Sequence, residues 1–167
     1  MLGNVGWGGV LSEIGTTEGT KNHERVSCVF VSFVVFIQAG RPYSLGMRAR
    51  LTKEFRFEAA HTLPSLPEGH KCRQMHGHSF KIEISIEGVV DETIGWVYDH
   101  KHISAAMAPL LEVLDHGYLN DIEGLESPTI ERMAGWFWKK LAPQLPGLAE
   151  IVIFETPTAR CSFKGEF

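Results

Sequence analysis

The sequence predicts an α+β domain in which antiparallel strands form one sheet and two amphipathic helices pack on a single face of it. Three observations predict this. From residue 51 onward two segments alternate apolar and polar side chains, two later segments carry apolar residues at spacings of three and four, and a last segment returns to the period of a strand.

In the first strand Leu51, Phe55, Phe57 and Ala59 share one parity and Arg56 and Glu58 the other. That is the signature of a half-buried strand, and His61 continues its apolar parity. The second strand places Phe80, Ile82, Ile84 and Ile86 against Ser79, Lys81, Glu83, Ser85 and Glu87, with His76 and His78 again on the apolar side. The period then lengthens. Asp99 caps a helix whose stripe is Ile103, Ala106, Met107, Leu110, Leu111 and Leu114, and Pro109 is expected to kink it. Ser127 as N-cap and Pro128 in the first turn open a second helix carrying Ile130, Met133, Ala134, Phe137 and Leu141 on one face, which "PQLPG" ends. In the closing strand, "AEIVIFET", Ile151, Ile153 and Glu155 share a face.

A chain of 167 residues, 44% hydrophobic and 22% charged, suits one soluble domain with its own core. A net charge of −4 without a basic stripe argues against a nucleic-acid partner, so the expected partner is a small molecule. Three widely spaced cysteines form no disulfide framework, which points to a reducing, cytoplasmic setting in which Cys28 and Cys161 are inert.

Residues 1–46 read differently from the rest. A glycine-rich stretch leads into the apolar run Val26–Ala39, which is short for a bilayer span and better suits a signal-peptide core or a buried strand. Lys21 and Arg25 ahead of it and "QAG" at its end fit a signal, but Met47 opens "MRARLTKEF" directly before the first patterned strand. The reading adopted is a dispensable or poorly ordered extension over 1–46 and a domain over 47–167.

The stretch "EAAHTLPSLPEGHKCRQMHGHSF" gathers four histidines and one cysteine. Two histidines at i and i+2 on a strand project from one face, and neutral imidazole is a good zinc ligand, so His76 and His78 offer two ligands side by side and His61 a third. Left unpaired on the apolar side of a sheet, three imidazoles would be costly. His70, in the turn "PEGHKC", is read as exposed and unliganded. Cys72 is either the fourth ligand of a closed structural site or a thiol beside an open three-histidine site. Its neighbours Lys71 and Arg73 would favour the thiolate.

The blocks "FRFEAAHTLPSLPEGHKCRQMHGHSFKIEISIEG", "GWVYDHKHI", "LDHGYLND", "SPTIERMAGWFW" and "FETPTARCSF" together resemble the 6-pyruvoyl-tetrahydropterin synthase family, most closely its bacterial carboxy-forming branch. The resemblance runs from about Lys53 to the C-terminus. It implies the tunnelling fold (T-fold), a four-stranded antiparallel sheet with two helices on one face, oligomerising into a barrel-like homohexamer with sites between subunits. It implies that His61, His76 and His78 bind Zn2+, that Cys72 is catalytic, and that Asp115 and His116 relay protons with it. It also implies that Glu155 grips the pterin ring, with Thr129 a further candidate for the pterin pocket. The spacer "RQM" between Cys72 and "HGH" has the length found in the carboxy-forming enzymes. The reaction so implied converts 7,8-dihydroneopterin triphosphate to 6-carboxytetrahydropterin, with release of acetaldehyde and triphosphate, toward 7-deazaguanine and queuosine.

Overall fold

The structure, a computed structural model, describes residues 46–167. The readings of Val26–Ala39, of Cys28 and of an extension over 1–46 therefore lie outside the described residues, Gly46 apart. Strands β1 (Arg48–His61) and β2 (His76–Val89) form an antiparallel pair, followed by helix α1 (His100–Leu114), the two-residue strand β3 (Gly117–Tyr118), helix α2 (Ile130–Leu141), and strands β4 (Leu148–Thr156) and β5 (Ala159–Phe163). The sheet order is β3-β1-β2-β4-β5. Four of these strands pair antiparallel as expected, and β3 adds a short parallel fifth along Ala59 and Ala60 of β1.

Parity decides which face is covered. Phe57, Ala59, Phe80, Ile82, Ile84, Ile86, Ile151 and Ile153 are buried and join the stripes of both helices in one core. From α1 come Ile103, Ala106, Met107 and Leu114; from α2 come Met133, Ala134, Phe137 and Leu141. Burying each large apolar side chain contributes roughly 1.5–3 kcal/mol, so a face shared by three strands and two helices fixes the register firmly. The opposite face carries crossed charges: Arg50 bonds Glu87 and Glu150, and Lys81 lies between Glu54 and Glu83. Ser85, of solvent parity, is nonetheless buried beside an irregularity in the β2–β4 register, and its hydroxyl pairs with that of Thr52 at 2.8 Å.

The helices follow the sequence reading except at the start of α2. Asp99 caps α1 as expected, its side chain accepting from Lys101 N, and the helix continues through Pro109 as one element. Ala105 and Pro109 are both exposed, so the carbonyl that loses its partner lies on the watered side of the helix. Helix α2 starts two residues later than expected: its N-cap is Thr129, whose hydroxyl accepts from Arg132 N at 3.4 Å. Ser127 is buried and bonded to Ser65, and the Pro128 carbonyl is taken by a histidine ring.

Candidate metal centre and active site

The β1–β2 register sets His61 directly across from His76 and Ala59 across from His78. Their apolar parity turns all three rings to the core face at the end of the sheet. One nitrogen from each ring lies within 4.8 Å of the others. His61 Nδ1 is 3.1 Å from the Pro128 carbonyl and His76 Nδ1 is 2.8 Å from that of Gln74. Each carbonyl accepts from Nδ1–H, which leaves Nε2 as the bare lone pair.

At the centre of the cluster the Nε2 atoms of His61 and His78 are buried and have no hydrogen-bond partner. The Glu155 carboxylate approaches them at 3.6 and 3.7 Å, too long for a hydrogen bond. Burial lowers the pKa of both rings, against the Pro128 carbonyl at His61 and the Glu155 carboxylate at both, which favours the neutral imidazoles over ion pairs. Neutral imidazoles with orphaned, converging lone pairs are what a divalent metal ion satisfies, so the three residues fit such an ion. Gly77, between two of them, lies close under β1: a Cβ there would stand 3.2 Å from the Ala59 carbonyl oxygen.

Cys72 sits in a single turn of 3-10 helix, Lys71–Arg73, between β1 and β2. It lines a cavity of about 450 Å³ together with Leu63, Lys71, His76, His78, Glu155 and Thr156. That volume falls within the range of small-ligand sites. The turn is tied down on both sides: the Cys72 carbonyl accepts from Leu63 N at 2.8 Å, and Cys72 N donates to His70 Nδ1 at 3.1 Å. Of the flanking cations, Lys71 lines the cavity, while Arg73 donates to the Leu66 carbonyl. Cys161 stands apart with its thiol pKa raised, chiefly by burial.

Asp115 and His116 follow α1. Asp115 Oδ1 accepts from Glu58 N at 2.9 Å, which holds its carboxyl below the usual range, and Oδ2 lies 3.1 Å from His116 Nδ1. His116 occupies the left-handed region at φ 58°, the position after a helix where glycine is usual. A non-glycine residue costs about 1 kcal/mol or more there, and such cost is tolerated where the side chain is used. The next position favours glycine, since a Cβ on Gly117 would crowd the Val113 oxygen at 3.0 Å and the Leu114 oxygen at 3.2 Å. The His116 ring opens on a second cleft, lined also by Glu58, Gly77, His78 and Ser79.

The structure thus brings His61, His76, His78, Cys72 and Glu155 together within one chain. His116 meets this group only through His78, which lines both clefts. Thr129 lies outside the cavity, its hydroxyl committed to the helix cap. Sequence reasoning missed the Pro128 and Gln74 carbonyls that fix the imidazoles, because backbone acceptors leave no mark on residue type. His70 is exposed and outside the histidine cluster, as expected, and its ring caps the turn that carries Cys72, a role the sequence reading did not assign.

Residues 50–166 match the sequence profile of the family described as 6-pyruvoyl tetrahydropterin synthase. A Synechocystis 6-carboxy-5,6,7,8-tetrahydropterin synthase is 43% identical over 117 residues, covering 66% of this chain and 89% of that protein. The dihydroneopterin monophosphate aldolase of Pyrococcus furiosus is 31% identical over 101 residues, covering 60% and 82%. Among solved structures, that of Caenorhabditis elegans 6-pyruvoyl tetrahydropterin synthase superposes with a TM-score of 0.67 at 28% identity, covering 72% of this chain and 98% of that one. With the profile spanning most of the chain and the same T-fold found in a solved relative, the chain belongs to the 6-pyruvoyl tetrahydropterin synthase family.

Proposed function

We propose that the protein is a zinc-dependent lyase that converts 7,8-dihydroneopterin triphosphate and water to 6-carboxy-5,6,7,8-tetrahydropterin, acetaldehyde and triphosphate, in 7-deazaguanine and queuosine biosynthesis. The observation that carries this reading is the pair of orphaned, buried Nε2 atoms of His61 and His78, grouped with His76, where His76 and His78 also line the cavity that holds Cys72 and Glu155. The likeness to the Synechocystis enzyme supports the choice of product.

In this reading His61, His76 and His78 hold Zn2+, which when bound supplies Lewis-acid polarisation of the substrate's side-chain oxygens and lowers their pKa. Glu155 accepts hydrogen bonds from the pterin ring, which places the side chain against the histidines. Cys72, as thiolate, takes the carbon-bound proton next to the ring. Asp115 keeps His116 oriented and stabilises its charged form while His116 exchanges that proton with Cys72 or solvent. Cys72 and His116 line separate clefts within one chain, so the relay is proposed to run between subunits of a homohexamer.

Incubation with dihydroneopterin triphosphate and mass spectrometry of the products tests the reaction. Equal amounts of 6-carboxytetrahydropterin and acetaldehyde are expected. The second reading, 6-pyruvoyltetrahydropterin formation, is favoured by the likeness to the C. elegans enzyme and would appear as that product without acetaldehyde. Residues 1–46 carry none of these groups. A chain beginning at Met47, whose carbonyl still accepts from Val90 N at 2.8 Å, is expected to turn over at the full-length rate.

His116 gives a prediction in which stability and activity separate. Because its backbone conformation suits glycine, His116→Gly is expected to keep or slightly raise the melting temperature while activity falls about 10²-fold or more. Thermal unfolding and turnover of one preparation check both. A melting temperature lowered by several degrees would show that the ring packs for stability.

A further inference from the structure

We infer that His70 is a positioning residue for Cys72: its imidazole, as hydrogen-bond acceptor, holds the turn that presents the thiol. The inference rests on Cys72 acting in the reaction proposed above. His70 is exposed and is not among the residues that line the cavity. Its Nδ1 nevertheless accepts from Cys72 N at 3.1 Å, and its carbonyl accepts from Arg73 N at 3.0 Å. As N-cap of the Lys71–Arg73 turn it satisfies the donor of the very residue whose side chain enters the cavity.

One short segment then connects the cap to the metal centre. Cys72 is held on its amide side by His70 and on its carbonyl side by Leu63, two residues beyond the buried ligand candidate His61. Gln74, which ends the turn, offers its carbonyl to His76 Nδ1. A turn of three residues has little stability of its own, so freeing the Cys72 amide lets the thiol shift against the imidazoles. Displacement of a reacting group by about 1 Å can cost on the order of 10²-fold in rate.

The test compares His70→Ala with His70→Asn, because an Asn oxygen can accept from the same amide. Expected for His70→Ala is a kcat lower by about 10–100-fold, with KM and zinc content unchanged and faster deuterium exchange at the Cys72 amide. His70→Asn is expected to restore most of kcat and the slow exchange. An unchanged kcat in His70→Ala would overturn the inference. So would an Asn variant as slow as the Ala variant, since the ring would then act otherwise than as an acceptor. If the unaltered protein turns over no pterin triphosphate, the proposed reaction falls and the catalytic consequence with it, while exchange at Cys72 still decides the hydrogen bond.

Discussion

His61→Ala is expected to lose its metal and essentially all its turnover. The ring is fully buried, its Nδ1 is engaged by Pro128, and its Nε2 has no hydrogen-bond partner among the described residues, while one nitrogen from each of the three histidine rings lies within 4.8 Å of the others. Removing one of three ligands should weaken binding by more than about 100-fold, since changes to the outer shell alone cost 10–100-fold. The polarisation then lost is worth several kcal/mol, and about 4 kcal/mol corresponds to roughly 10³ in rate. Elemental analysis of purified protein and turnover after zinc addition check both parts. Full zinc content in His61→Ala would remove the three-histidine centre from the account.

Cys72→Ala is expected to separate metal from chemistry. An open site of three histidines does not need the thiol, so the variant should keep one zinc per chain and its assembly. Turnover should fall by about 10²–10⁴-fold, the range of a positioned acid or base. The thiol is only half-buried, so its removal leaves no large void and folding is expected to be little changed. Zinc loss accompanied by unfolding would instead make Cys72 a structural ligand and the domain a noncatalytic binding module.

The histidine cluster was legible because strand periodicity is strict. His61, His76 and His78 share the parity of Phe57, Phe80 and Ile82, and a period of two transfers directly into a shared face. The same logic placed Glu155 with Ile151 and Ile153, and its carboxylate reaches the imidazoles. Parity is silent in turns. The two roles open to Cys72 could not be separated by spacing, and the left-handed backbone of His116, which distinguishes it from an ordinary polar helix end, shows only in the fold.

The misplaced start of α2 has a related cause. Ser127 and Pro128 carry the side-chain marks of a cap and a first turn, yet the Pro128 carbonyl serves His61 and the cap moves to Thr129. A tertiary demand on the backbone there outweighs a local preference worth about 1 kcal/mol. Strand β3 is two residues long, too short for any period, and β5 contributes only Cys161 and Phe163 to the apolar side.

X-ray absorption at the zinc edge of the purified protein tests the central claim most directly, because it counts the ligands that distinguish an open centre from a closed one. The account predicts a shell of nitrogen and oxygen at about 2.0–2.1 Å with the outer scattering of three imidazoles and no sulfur. A sulfur shell at about 2.3 Å would place Cys72 on the metal and contradict it.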